Sequence, residues 1–293
     1  MKVGLLPPSR AGVGADPEFM VAYARHAEAC GFESIVAIEH PLVISSYTSR
    51  YPYAESGRMP LPDDCPIPDP LDLLAFLAAS TTTLGLATGV LILPVHHPVT
   101  LAKRLATLDV LSRGRIRLCI GVGWLGEELE ACGVDPASRG RRADESIDVM
   151  RTLWADSGPE GASFEGEFFS FAHAHSFPKP VRPGGVPIHV GGHSPASKRR
   201  AARRGDGWQP LGVAGDDLRD GIAEVRRLAE EAGRDPAAIE ITISAMASHL
   251  QAETLDKVAA IGVDRVVATT MEPRLPAAID DLSSLAERVG LRP

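Results

Sequence analysis

Glu39 and His40 stand side by side after the run Ser34-Ile35-Val36-Ala37-Ile38, whose β-branched residues predict a strand over 34–38. An imidazole gains or loses a proton near neutral pH, and a neighbouring carboxylate can set its orientation and ionisation. A histidine in this position serves equally as a turn cap or a core hydrogen-bonding group, so its chemistry depends on where the strand ends. Three glycine-bearing segments accompany the pair. Gly89-Val90 lies within LGLATGVLIL at 84–93, where glycine weakens a strand but admits a bulge or a flat ligand against the backbone. A non-prolyl cis bond there is physically possible but costly, so sequence physics alone favours packing or a bulge. Gly121-Val122-Gly123-Trp124 sets two openings beside an indole wall and lacks the spacing of a dinucleotide fingerprint. Gly191-Gly192-His193-Ser194 joins a predicted strand to a predicted helix. Its N–H groups suit either a plain turn or a phosphate, and Ser194 suits a helix cap.

Other polar groups carry less chemistry. His96-His97 and His173-Ala174-His175 lack the H-E-x-x-H spacing, and no carboxylate-rich magnesium pattern appears, so no catalytic metal is expected. Glu127, Glu128 and Glu130 read as polar residues of a short helix. Lys198, Arg199, Arg200, Arg203 and Arg204 make the segment after the glycine pair basic, or simply form a solvated helical face. Tyr47, Tyr51, Tyr53, Trp124 and Trp208 lie near candidate rims and can wall an apolar substrate, with core packing the alternative for Trp208. No G-x-S-x-G elbow supports a serine hydrolase.

The elements that must position these residues alternate along the chain. Strands are predicted at 3–7, 34–38, 84–93, 115–122, 187–190, around Trp208, at 239–245 and at 264–269, each followed by helical material. Asp16-Pro17 and Asp69-Pro70 read as helix starts, an acidic N-cap followed by proline at the first helical position. Eight β/α units fit a closed, TIM-like (β/α)8 barrel, with a doubly wound open sheet as the alternative. The chain reads as one domain over 1–293. Long connections at 39–68 and 157–186, after the second and fourth strands, are insertion or crossover segments that call for a functional or topological reason.

Bulk composition narrows the field. The 293 residues include 38 acidic against 30 Lys and Arg, for a net charge of −8, a poor match to a nucleic-acid backbone. Glycine and proline number 28 and 24, an excess that marks many turns. No run is long and apolar enough for a membrane span, and MKVGLLPPSR breaks too early for a signal peptide, so a soluble cytoplasmic protein is expected. The four cysteines lack metal-binding or disulfide spacing.

With these elements in place, the chain resembles the luciferase-like monooxygenase superfamily, in particular its coenzyme F420-dependent oxidoreductases. The resemblance rests on HHPVTLAKRLATLDVLSRGRIRLCIGVGWLGEELEACGVD at 96–135, RGRRADESIDVMRTLW at 139–154, FEGEFFSF at 164–171 and PIHVGGHSPASKRRAARRGDGWQP at 187–210. It implies F420, or alternatively FMN, at the C-terminal mouth of the barrel. By that resemblance Leu6, Gly89 and Val90 approach the ring, the last two often through a non-prolyl cis bond. Gly121, Val122, Gly123 and Trp124 complete the ring pocket; Gly191, Gly192 and His193 hold the phosphate, with Trp208 close by. His40 becomes the proton donor or acceptor, oriented by Glu39, and Tyr47 and Tyr51 close over a small organic substrate. A homodimer is the implied assembly, with the helices near 70–80 and 98–111 at its interface. One departure stands out. Some F420-dependent alcohol and sugar-phosphate dehydrogenases carry a glutamate directly after the G-x-G segment, where this chain has Trp124. The implied reaction is hydride transfer at C5 of F420; a reduced-FMN monooxygenase or a noncatalytic cofactor-binding protein are the alternatives.

Overall fold

A computed structural model describes residues 1–156 and 158–292; Ser157, the first residue of the expected 157–186 crossover, and Pro293 lie outside the described residues. Eleven strands follow in chain order: β1 (Lys2–Leu6), β2 (Ser34–Ala37), β3 (Gly85–Thr88), β4 (Leu91–Ile92), β5 (Ile116–Gly121), β6 (Ala162–Glu165), β7 (Ser170–Ala174), β8 (Ile188–Gly191), β9 (Gly207–Gln209), β10 (Glu240–Met246) and β11 (Arg265–Thr269). The helices are α1 (Pro17–Ala29), α2 (Pro70–Ala78), α3 (Pro98–Leu111), α4 (Gly126–Ala131), α5 (Arg139–Trp154), α6 (Pro195–Arg204), α7 (Gly215–Glu231), α8 (Ala252–Ala260) and α9 (Leu275–Arg288).

The barrel closes. β1 pairs in parallel with both β2 and β11, and β3 pairs with β5, so the ring runs β1-β2-β3-β5-β8-β9-β10-β11. Closure holds Val3 opposite Val266 and Leu5 opposite Ala268. The strand expected over 84–93 is two pieces, β3 and β4, separated by a cis peptide at Gly89–Val90. β4 continues along β5, with Leu91 opposite Ile120. Helix starts follow the sequence signals. Asp16 accepts the N–H groups of Glu18 and Phe19 at 3.0 Å, and Asp69 those of Leu71 and Asp72 at 2.9 and 3.1 Å. Leu5, Ile35, Leu86, Leu118 and Ile188 turn outward into a core shared with the helices. Val36, Ala87 and Val267 fill the interior, with Leu6 against them.

The start of the strands carries charge instead of hydrocarbon. Arg265 bonds Glu33 at 2.9 and 3.0 Å and Glu240 at 3.0 Å, Arg117 bonds Glu33 at 3.0 Å, and Lys2 bonds Glu240 at 2.6 Å. Burial alone would raise the Glu33 carboxyl, but Arg117 and Arg265 outweigh it and hold it at about 2. Glu240 is likewise held at about 2, its burial offset by Lys2 and Arg265. His189, 1% exposed, is pushed down to about 3 by burial and by Arg117 and Arg265, so its ring is neutral.

The two long connections differ. Residues 39–68 hold no helix or strand. The second contains the antiparallel hairpin β6–β7. Glu145 of α5 accepts the N–H groups of Glu167, Phe168 and Phe169 at 2.7–2.9 Å, which ties the hairpin tip to that helix.

Candidate active site at the barrel mouth

His40 leaves β2 at its C-terminal end, the end where barrels of this kind carry their chemistry. Its Nδ1 lies 3.1 and 3.2 Å from the two carboxylate oxygens of Glu128 on α4. Glu128 is 1% exposed and also accepts the Leu42 N–H at 3.2 Å, so it fixes the ring and the chain just beyond it. Glu39 does not serve as the orienting partner of His40. Its carboxylate accepts the Ile92 N–H at 2.5 Å and lies 2.8 Å from His96 Nε2, which spends both oxygens on the segment after Val90. Adjacent residues in extended backbone point to opposite sides, which separates the two side chains. The mouth thus holds two crossed carboxylate–imidazole pairs, Glu128–His40 and Glu39–His96.

Glycines make the floor. A methyl group on Gly121 would come within 2.8 Å of Val90 Cγ2, one on Gly191 within 2.9 Å of Val90 Cγ1, and one on Gly89 within 2.1 Å of Val36 Cγ1. Val90 therefore lies between two bare backbone surfaces. Gly123 adopts φ +79° and Gly192 φ +92°, a region that side-chain-bearing residues avoid. Gln209 stands opposite Gly191 in register, and its buried Oε1 has no hydrogen-bond partner among the described residues. An orphaned acceptor beside a side-chain-free backbone suits a flat ring that brings its own N–H donor. Behind the floor, Ser194 caps α6 through the Ser197 N–H at 3.2 Å. Trp208 departs from the expected ligand contact. It is 0% exposed, its Nε1 donates to the Gly192 carbonyl at 2.8 Å, and its ring lies against Gly221. It supports the Gly191-Gly192 turn from below.

Aromatic rings span the mouth in a chain. Tyr47 and Tyr51 each meet Trp124 edge-on, at centroid distances of 5.4 and 5.1 Å. Tyr51 meets Tyr53 at 5.4 Å, Tyr53 meets His193 at 6.0 Å, and Arg58 lies 4.2 Å over Tyr47. The arc joins the G-x-G-W segment to the Gly191-Gly192-His193 segment. Glu127 fastens it by accepting Thr48 N–H at 2.6 Å, Thr48 Oγ1 at 2.9 Å and Ser49 N–H at 3.2 Å, while Gly126 N–H donates to Ser49 Oγ at 2.9 Å. Consecutive glutamates on α4 therefore hold the 39–68 loop and His40.

The family of Luciferase-like monooxygenases matches residues 1–273. The chain belongs to that family. An uncharacterized protein of Mycobacterium tuberculosis (strain ATCC 25618 / H37Rv) is 37% identical over 219 residues, 75% of this chain and 74% of the relative. The F420-dependent glucose-6-phosphate dehydrogenase of Kineococcus radiotolerans is 32% identical over 181 residues, 60% of this chain and 52% of its own. Among solved structures, a monooxygenase from Streptomyces bottropensis superposes with a TM-score of 0.78 at 22% identity, covering 99% and 98% of the two chains. An F420-dependent secondary alcohol dehydrogenase superposes at 0.77 and 18% identity, covering 98% of each. These two share the luciferase-like fold.

Within this luciferase-like barrel the remaining sequence candidates fall into place. His97 meets Phe169 of the hairpin edge-on at 5.3 Å, and His173 Nδ1 lies 3.2 Å from the Glu160 carbonyl oxygen. Of the basic residues on α6, Lys198, Arg200 and Arg204 pair with Glu224, Asp144 and Asp148 at 2.5–2.9 Å, so they tie helices together. No helix among the described residues is long and apolar enough to cross a membrane. Glu128, which the sequence marks only as a polar residue of a short helix, and Gln209, unremarked there, also belong to the candidate site. Both left a signal. Glu128 shares the buried face of α4 with Leu129, and buried Leu125 caps the helix just before it, a carboxylate among leucines. Gln209 alternates with outward-facing Trp208, which turns the amide inward.

Proposed function

We propose that this chain is a coenzyme F420-dependent oxidoreductase that moves a hydride between the cofactor and a small organic molecule. The observation that carries this reading is the convergence, at one barrel end, of a glycine floor around Val90 and a histidine clamped by a buried carboxylate. A bound deazaflavin supplies hydride transfer at its C5 position. Leu6, Gly89, Val90, Gly121, Val122 and Gly123 would hold its ring, with Gln209 Oε1 accepting a ring N–H. Gly191, Gly192 and His193 would hold its phosphate at the start of α6. The Glu128 carboxylate accepts a hydrogen bond from His40 Nδ1–H, which leaves Nε2 to take up or deliver the proton that accompanies hydride transfer. Glu39 acts on the floor through Ile92 N–H and His96.

Trp124, Tyr47 and Tyr51 would exclude water and offer an apolar, aromatic wall to the substrate. The same reading takes residues 1–293 as one catalytic unit, cytoplasmic and paired as a homodimer, with neither nucleic acid nor membrane as partner. Titration of the purified protein with F420 and with FMN, each oxidised and reduced, tests the cofactor. Saturable F420 binding with little FMN binding is expected; tight FMN binding with no F420 binding would overturn the proposal in favour of a reduced-FMN monooxygenase. The His40→Ala protein should bind F420 as before and lose turnover by about 100-fold or more.

A further inference from the structure

The opposite end of the barrel also encloses space. A cavity of about 550 Å³ lies where the strands begin, lined at its rim by Lys2, Gly85, Ile116, Pro187, Glu240 and Arg265. Its size is that of a small-molecule site. Its charge is one-sided. The three lining carboxylates, Glu33, Asp206 and Glu240, face six lining cations: Lys2 and arginines 115, 117, 151, 182 and 265. Every one of those carboxylates is already bridged, Asp206 by Arg151 at 2.5 Å and the other two by the network at the strand starts. Arg115 turns its guanidinium to main-chain carbonyls of 78–84 and 112 and to Thr81 Oγ1, with the Glu28 carboxylate close enough to act on its charge. Arg182 has no side-chain hydrogen bond or ion pair among the described residues. Arg117 Nε and His189 Nδ1 have no partner among the described residues, but both are buried away from the cavity's open space.

We propose that this cavity is a second binding site, separate from the mouth, for a small multivalent oxyanion held by Arg182 within a lining of six cations and three carboxylates. Excess cationic charge on a chain of net charge −8 focuses anions at this one end. Arg182 is exposed and, although the Asp109 carboxyl feels its charge, makes no hydrogen-bonded bridge among the described residues, so it can close over the anion without breaking one.

Calorimetric titration at low ionic strength with pyrophosphate and, separately, with citrate tests the site and tells a phosphate from a polycarboxylate ligand. One anion should bind per chain, more weakly as potassium chloride is added. Arg182→Ala should weaken it about tenfold or more, with Arg182→Lys close to wild type. His193→Ala, at the mouth, should leave it unchanged, and an unaltered melting temperature checks that the Arg182 variants fold. Absence of binding by both anions would overturn the proposal. So would binding lost in His193→Ala and kept in Arg182→Ala, which would move the anion to the mouth.

Discussion

A single carboxylate decides how His40 can act. Glu128→Gln keeps the shape and still offers an oxygen to Leu42 N–H, but it removes the charge next to the imidazole. Turnover should fall by about 100-fold while the cofactor Kd, read by fluorescence titration, stays within about threefold; a Kd change as large as the turnover loss would leave Glu128 a packing residue only. The glycine floor makes a second prediction. Gly191→Ala sets a methyl group 2.9 Å from Val90 Cγ1 and 3.0 Å from the Ile120 carbonyl oxygen, and urea unfolding should lose about 1–3 kcal/mol. Adding Val90→Ala removes one of the two clashing groups and should restore part of that loss. Simple additivity of the two changes would show that Val90 is not the obstacle. His40 and the glycine segments were legible because their types are unusual for the ends of strands. The partner of His40 was not, since Glu128 is 88 positions away in the chain and adjacency pointed to Glu39.

Among the elements, the eight barrel strands were legible from short apolar runs and the glycines and prolines between them, and two helix starts from Asp-Pro pairs. The inward faces were not, because in a closed barrel both faces of a strand are covered and alternation is blurred. The ionic ring at the strand starts was hidden in the same way, and it has a measurable signature. An unfolded imidazole takes its proton near 6.5, whereas His189 in the folded chain resists it down to about 3. The unfolded chain therefore binds more protons as pH falls through this window, and stability is lost from 6.5 downward. Glu33 and Glu240, held at about 2 against an ordinary 4.5, add a further loss only below 4.5. Melting temperatures between about pH 8 and about pH 5 isolate the histidine. His189→Leu should flatten the curve there and leave the acid limb in place; an unchanged slope would assign it to another group.

For the molecule as a whole, the outer surface raises the question of assembly. Phe76 on α2 is 45% exposed and Leu111 on α3 72% exposed, with Val99 and Val110 also open on α3. The proposed homodimer needs roughly 800 Å² of such surface per partner. Phe76→Glu with Leu111→Glu should shift sedimentation from dimer to monomer while each chain keeps its helical circular dichroism; a dimer that survives both changes uses another face. The closing pair of the barrel, β1 with β11, has a separate consequence for synthesis. Until the segment around Arg265–Thr269 leaves the ribosome, β1 keeps one row of backbone N–H and C=O groups without its final partner. An open strand edge invites pairing with other nascent chains. Fragments stopped before residue 265 should therefore collect as insoluble material, and their chaperone demand should fall once β11 is included.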